Sequence, residues 1–206
     1  MTETLSWFRK EWIVSDAKAL GVYIALLILR FRVRYATDIP LLCSDEELME
    51  TRLKPYLSLF FQDEELTEAT EVGKVFLKAF VEHTPFPEYE EALDTIEMDF
   101  YNPMLKEAYL RHVNRKELAV KIAGSDAGSL IRRFLGDVAS NRFSKGKITS
   151  AGSSILLTPF SELLELYGLS EEDVRRFLNI LRLSGIMFLD IIPAPVLENE
   201  FIDSLP

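Results

Sequence analysis

The 206-residue sequence predicts a mainly α fold: an N-terminal helical layer followed by a C-terminal helix–bend–helix with a small β element. Three observations carry that prediction. Apolar residues recur at i, i+3, i+4 and i+7 in stretch after stretch, the spacing of one helix face. Pro, Gly, Asn and Ser punctuate those stretches where helices start and stop. Short β-rich runs stand at 155–157 and 186–192. The chain is 48% hydrophobic, with 14 Phe and seven Tyr. Each aromatic removes roughly 150–250 Å² from water, so a core forms without a disulfide or metal staple.

The elements follow in order. Ser15-Asp16 is a plausible cap for an apolar helix reaching about Tyr35. Its stretch 19–29 is about half the ~20 residues a membrane span needs, so it reads as a buried core helix. The segment 30–35 (RFRVRY) reads either as the last helical turns, with cations near the negative end, or as an alternating strand; the first is favoured. Ser44 and Glu47 make a capping box for a second helix that Pro55 should end or kink. Leu66, Ala69, Val72, Phe76, Ala79 and Phe80 mark a third, stopping before Pro85 and Pro87. Tyr89, Ala92, Leu93, Ile96 and Phe100 mark a fourth, ended by Asn102-Pro103.

Beyond the segment 105–113, Asn114 with Glu117 opens a helix that Gly124 closes, and Ser125-Asp126 opens another. The latter turns Ile131, Phe134, Leu135 and Val138 inward and leaves Arg132 and Arg133 near its exposed side. The polar, Gly/Ser-rich, basic stretch 141–154 reads as a loop. A short strand at 155–157 follows, then Thr158 caps a helix with Pro159 at its first position. Phe160, Leu163, Leu164 and Tyr167 share one face, and Gly168 supplies a left-handed bend. Leu169 plugs the corner, and Ser170 with Asp173 caps the next helix. That helix buries Val174, Phe177, Leu178 and Leu181 and turns Arg175, Arg176, Asn179 and Arg182 outward. Gly185 stops it, 186–192 reads as a strand, and Pro193 and Pro195 mark its exit.

The segment 154–192 resembles the winged helix-turn-helix superfamily, on Gly168-Leu169-Ser170, Val174, Phe177 and the Leu183-Ser184-Gly185-Ile186 exit. It spans about a fifth of the chain. The resemblance implies a winged-helix unit whose wing begins in 186–192. It also implies a recognition helix presenting Ser170, Glu171, Glu172, Arg175, Arg176 and Asn179 to a major groove, with Arg182 on the same outward side. Arg to guanine and Asn to adenine are sound direct-readout pairs. Glu171, Glu172 and Asp173 would meet an approaching phosphate backbone, and serve equally as capping residues favoured by the helix dipole.

Charge divides the chain into an acidic helical region 1–104 (10 basic, 20 acidic), a basic segment 105–150 (10 and 4) and an acidic segment 151–206 (3 and 9). These read as three parts or as one compact domain. The net charge of −10 argues against nonspecific coating of nucleic acid. Arg132, Arg133, Arg142, Lys145 and Lys147 of the basic island could hold phosphates beside the recognition helix, or could neutralise the protein's own acidic layer or a partner's.

Two functions follow. The first is a non-catalytic DNA-binding protein or accessory subunit on duplex DNA, acting in transcription regulation, chromosome handling or phage defence. The alternative is an assembly subunit whose winged helix docks a protein partner, or a second copy in a homodimer. No cofactor, metal or catalytic residue is expected. His83 and His112 stand in no metal-ligand spacing with Cys43 or with helical carboxylates. The run Glu88, Glu90, Glu91, Asp94, Glu97 and Asp99 reads as a solvated helix face. Ser144-Lys145-Gly146-Lys147 lacks the upstream glycine of a phosphate loop, and Gly152-Ser153-Ser154 is no nucleophile elbow. The single Cys43, and first residues (MTETLSWFRKEWIVS) without a secretory pattern, read as a cytoplasmic protein away from membranes.

Overall fold

A computed structural model describes residues 16–35, 46–100, 103–143, 147–148, 154–155 and 160–206. The fold is mainly α with a small β element towards the C terminus. The chain divides into two compact units, Met1–His112 and Val113–Pro206.

The first unit is built around α1 (Asp16–Tyr35), against which pack α2 (Glu46–Leu57), α3 (Asp63–His83), α4 (Tyr89–Phe100) and α5 (Pro103–His112). Every residue from Ala19 to Arg30 is buried, so the apolar stretch 19–29 of α1 is enclosed on all sides. Among the described residues no helix is long and apolar enough to cross a membrane. The segment 30–35 is helical, as its favoured reading has it. Arg30 is buried, with its guanidinium 2.8 Å from the Asp94 carboxylate on α4. A charge taken out of water needs such a partner.

α1 and α3 cross at small residues. A Cβ on Gly21 would press into the carbonyl oxygen of Ala69 and lie 3.0 Å from its carbonyl carbon; one on Gly73 would lie 2.7 Å from Leu53 Cδ2. α3 accordingly buries Gly73 and Leu77 besides Ala69, Phe76 and Phe80, while Leu66, Val72 and Ala79 are half-buried. Pro55 does not end α2, which runs on to Leu57. The missing proline N–H removes one helix bond, and the helix ends two residues later. Ser15, Cys43, Ser44 and Asn102 lie outside the described residues.

His112, in the last turn of α5, lies edge-on to Phe61 with ring centroids 4.4 Å apart. Its Nε2 is buried with no hydrogen-bond partner among the described residues. Burial holds its pKa below the usual 6.5, with Arg111 adding to the effect and Asp16 and Glu65 opposing it. The native state therefore favours the neutral ring. The stability this contributes is fully present above about pH 6.5 and is lost as pH falls through the depressed native value. In urea titrations at about pH 7.5 and about pH 5.5, the wild-type midpoint should fall more than that of His112→Gln. An equal fall in both would show that the ring is not the group responsible.

In the second unit Asn114 caps α6 (Arg115–Ala123), its side chain accepting the Glu117 N–H at 3.2 Å. The next helix, α7 (Gly128–Ala139), starts later than Ser125-Asp126 suggested. The Ser125 hydroxyl donates back to the Ile122 carbonyl at 2.7 Å and caps nothing downstream. α7 buries Ile131, Phe134, Leu135 and Val138 as expected. The stretch expected to be all loop contains β1 (Lys147–Ile148), antiparallel to β2 (Ser154–Ile155). That pairing depends on the partner strand and leaves no local pattern.

β2 is the central strand, because β3 (Ile191–Ile192) pairs along its other edge, Ile191 opposite Ile155. Between β2 and β3 come α8 (Phe160–Tyr167) and α9 (Glu171–Leu183). The run 186–192 is not one strand. It reverses at Leu189-Asp190, where Phe188 and Ile191 exchange N–H···O bonds of 2.8 and 2.9 Å and Leu189 takes φ +56°. After β3 the chain enters a 3₁₀ turn, Ala194–Val196, and α10 (Asn199–Asp203), which packs on α7.

Candidate functional site

The helix–bend–helix forms where its residues predicted it. Gly168 takes φ +63°, a conformation that costs an L side chain roughly 1–2 kcal/mol. Ser170 caps α9, accepting the Asp173 N–H at 3.2 Å while its hydroxyl donates to the Asp173 carboxylate. Val174, Phe177 and Leu181 fill the inner face, and Leu178 is half-buried. Thr158 and Pro159 lie outside the described residues.

The outer face of α9 answers its own charges. Arg175 donates twice to Glu171 Oε1, at 3.1 Å from Nε and 2.6 Å from Nη2, and Arg176 Nη2 lies 3.3 Å from Glu172 Oε1. Both are i, i+4 pairs with the carboxylate nearer the positive helix end, worth about 0.3–0.5 kcal/mol each at such exposure. Both arginine side chains remain 68% exposed, and Asn179 is exposed beside them. Arg182, expected to face outward, is half-buried. Its Nε donates to the Leu189 carbonyl at 3.2 Å and its Nη2 to Asp190 at 3.1 Å, bracing the hairpin in which Leu189 is strained. Leu183 is 76% exposed at the end of the helix.

A second cluster ties α7 to α8. Asp137, buried on α7, accepts the Tyr167 hydroxyl on Oδ2 at 3.0 Å and Arg142 Nη1 on Oδ1 at 3.2 Å. Arg133 Nε lies 3.9 Å from Oδ2, with its guanidinium over the Tyr167 ring at 5.1 Å from the centroid and Nη2 donating to the Leu166 carbonyl at 3.3 Å. Burial, then the charge and hydrogen bond of Asp137, push the Tyr167 pKa up, so the phenol keeps its proton and serves as a donor. Arg132 approaches Asp203 at 4.0 Å. Lys145 lies outside the described residues, and of Lys147 only the backbone, in β1, is described.

The described guanidiniums of the expected DNA face, Arg132, Arg133, Arg142, Arg175, Arg176 and Arg182, thus each lie within 4.0 Å of a carboxylate of their own unit. Sequence reasoning assigned Asp137 no role and Tyr167 only a place on the apolar face of its helix. Their signal was faint: Asp137 is the one acid among five cations in 128–148. Among the described residues no group of three or more His, Cys, Asp or Glu is placed to hold a metal ion. No protein-family model, curated protein or solved structure matches this chain.

Proposed function

We propose that the protein is a non-catalytic, cytoplasmic accessory subunit whose second unit, of winged-helix type, docks a protein partner through α9 and its surroundings. The observation that carries this reading is the internal pairing of the arginines. A duplex needs an excess of cations to replace its counterions. Residues 113–206 carry 11 basic and 12 acidic side chains, and the first turn of α9 presents Glu171, Glu172 and Asp173. A self-neutralised helix ending in an exposed Leu183 suits a protein surface, where paired charges set register and apolar contact supplies affinity.

One observation favours a second reading, duplex DNA: Arg175 and Arg176 are largely exposed and their pairs are weak, so phosphates can compete for them. Two measurements on the full chain separate the readings. Purification from native cells is expected to retain a stoichiometric protein that Leu183→Glu releases. A mixed-sequence duplex at about 0.05 M salt is expected not to bind. Duplex binding that weakens steeply with salt, and is abolished by Arg175→Glu with Arg176→Glu, would replace the docking proposal with the DNA one.

A further inference from the structure

We infer that Arg133 and Arg142 form a two-pronged seat for a carboxylate side chain on an acidic segment of the protein partner. The inference rests on the docking reading above. The two guanidiniums come from different segments, α7 and the chain that follows it, and converge on one carboxylate whose side chain is only 8% exposed. Asp137 is held from three directions: by the Tyr167 hydroxyl, by the Arg142 guanidinium and, on its carbonyl, by the Arg142 backbone N–H at 2.9 Å. Arg133 is held by the Tyr167 ring and the Leu166 carbonyl.

Both side chains nevertheless keep most of their surface, 59% and 73% exposed. An unbraced arginine loses rotamer freedom when a ligand immobilises it; here much of that ordering is already present. Arg142 has Nε and Nη2 with no partner among the described residues, so it retains donors for a second oxyanion. Asp137 cancels one of the two charges, and the stretch 128–148 still carries five cations against that one acid.

The geometry favours an acidic peptide over a duplex. Only Gly168, Leu169 and Ser170 separate Tyr167 from the three carboxylates that open α9. A duplex presents phosphates as an extended array and must lie across such neighbours, whereas one carboxylate needs only the local fork.

The test is fluorescence anisotropy on the full-length chain with a labelled peptide of about ten residues carrying a single Glu in an otherwise uncharged sequence, and separately with a mixed-sequence duplex. The peptide is expected to bind at low salt and to bind about tenfold more weakly to Arg133→Gln with Arg142→Gln. The charge-conserving pair Arg133→Lys with Arg142→Lys is expected to lose nearly as much, because an ammonium lacks the planar fork. Full binding by the lysine pair, or no peptide binding at all, overturns the seat; so does tighter binding of the duplex. Retention of the native partner by the glutamine pair removes the seat and leaves docking standing. Duplex binding by the wild type removes docking as well. Unchanged urea midpoints exclude unfolding as the cause, and Tyr167→Phe, which keeps every charge, should weaken the peptide by a smaller factor.

Discussion

Gly21→Ala is expected to destabilise the first unit by about 3 kcal/mol, a large share of the roughly 5–15 kcal/mol that holds a domain folded. The added methyl has nowhere to go. It meets the carbonyl oxygen of Ala69 and, just behind it, the carbonyl and α carbons of the same residue, so the obstruction is backbone and cannot rotate aside. α1 and α3 must separate, and α1 is the helix on which α2, α4 and α5 also pack. Urea unfolding followed by far-UV circular dichroism measures the loss as a fall in midpoint at constant slope. Gly136→Ala is the matched control. That position in α7 has nothing within 4 Å of an added Cβ, so alanine there should be neutral or stabilise by about 0.5–1 kcal/mol. Equal effects at the two glycines would mean that the close crossing of α1 and α3 is not what makes position 21 sensitive.

Phe134→Ala should cost the second unit about 3–5 kcal/mol. Phe134 is fully buried on α7, with ring centroids 5.3 Å from Phe177 on α9, 5.8 Å from Phe143 and 6.4 Å from Tyr167 on α8. One side chain thus joins both arms of the helix–bend–helix to the helix behind them. Its removal leaves a cavity that those rings can fill only by moving α8 and α9. Partner retention is expected to fall with stability, since the fork of Arg133 and Arg142 hangs on Tyr167 and Asp137 in the same layer. Phe134→Leu keeps much of the volume and should cost less on both measures. A variant that loses the midpoint but keeps the partner would show that the docking surface does not depend on this packing.

How much was legible beforehand differs between kinds of feature. Local grammar read well: Asn114 and Ser170 cap the helices they were expected to cap, and Gly168 bends where a left-handed residue was needed. Each is decided by bonds spanning three or four residues. Pairing across the sheet was not legible. Nothing in NRFSKGKITSAGSS marks Lys147–Ile148 as a strand, because a two-residue strand exists through its register with Ser154–Ile155. The reversal at Leu189-Asp190 was hidden for a related reason. No Gly or Asn announces it, and Leu189 is held at positive φ by burial of its side chain and by the Arg182 guanidinium on its carbonyl.

For the candidate site, the arginines of α9 were placed on the outer face by periodicity, and Arg175, Arg176 and Asn179 lie there. What they touch was only partly readable. The i, i+4 spacing of Glu171 with Arg175 and Glu172 with Arg176 offers both pairs in the sequence itself. Arg133 with Asp137 has that same spacing within α7, whereas the Tyr167 contact of Arg133 and the partners of Arg142 and Arg182 are set by loop paths and by the meeting of separate helices.

By itself, the sequence determined that the chain is mainly helical, where most helices begin and end, and that a glycine bend joins Tyr167 to Ser170. These follow from 3.6-residue periodicity and from caps that act within one turn. Tertiary structure alone decided that Arg30 is buried against Asp94, that Gly21 is where two helices touch, and that Arg142 and Tyr167 both meet Asp137. Each of these joins groups brought together by the path of the chain. The free energy of a charge or a methyl group depends on whatever occupies the next few ångströms, and outside a single helix turn residue order leaves that neighbour unspecified.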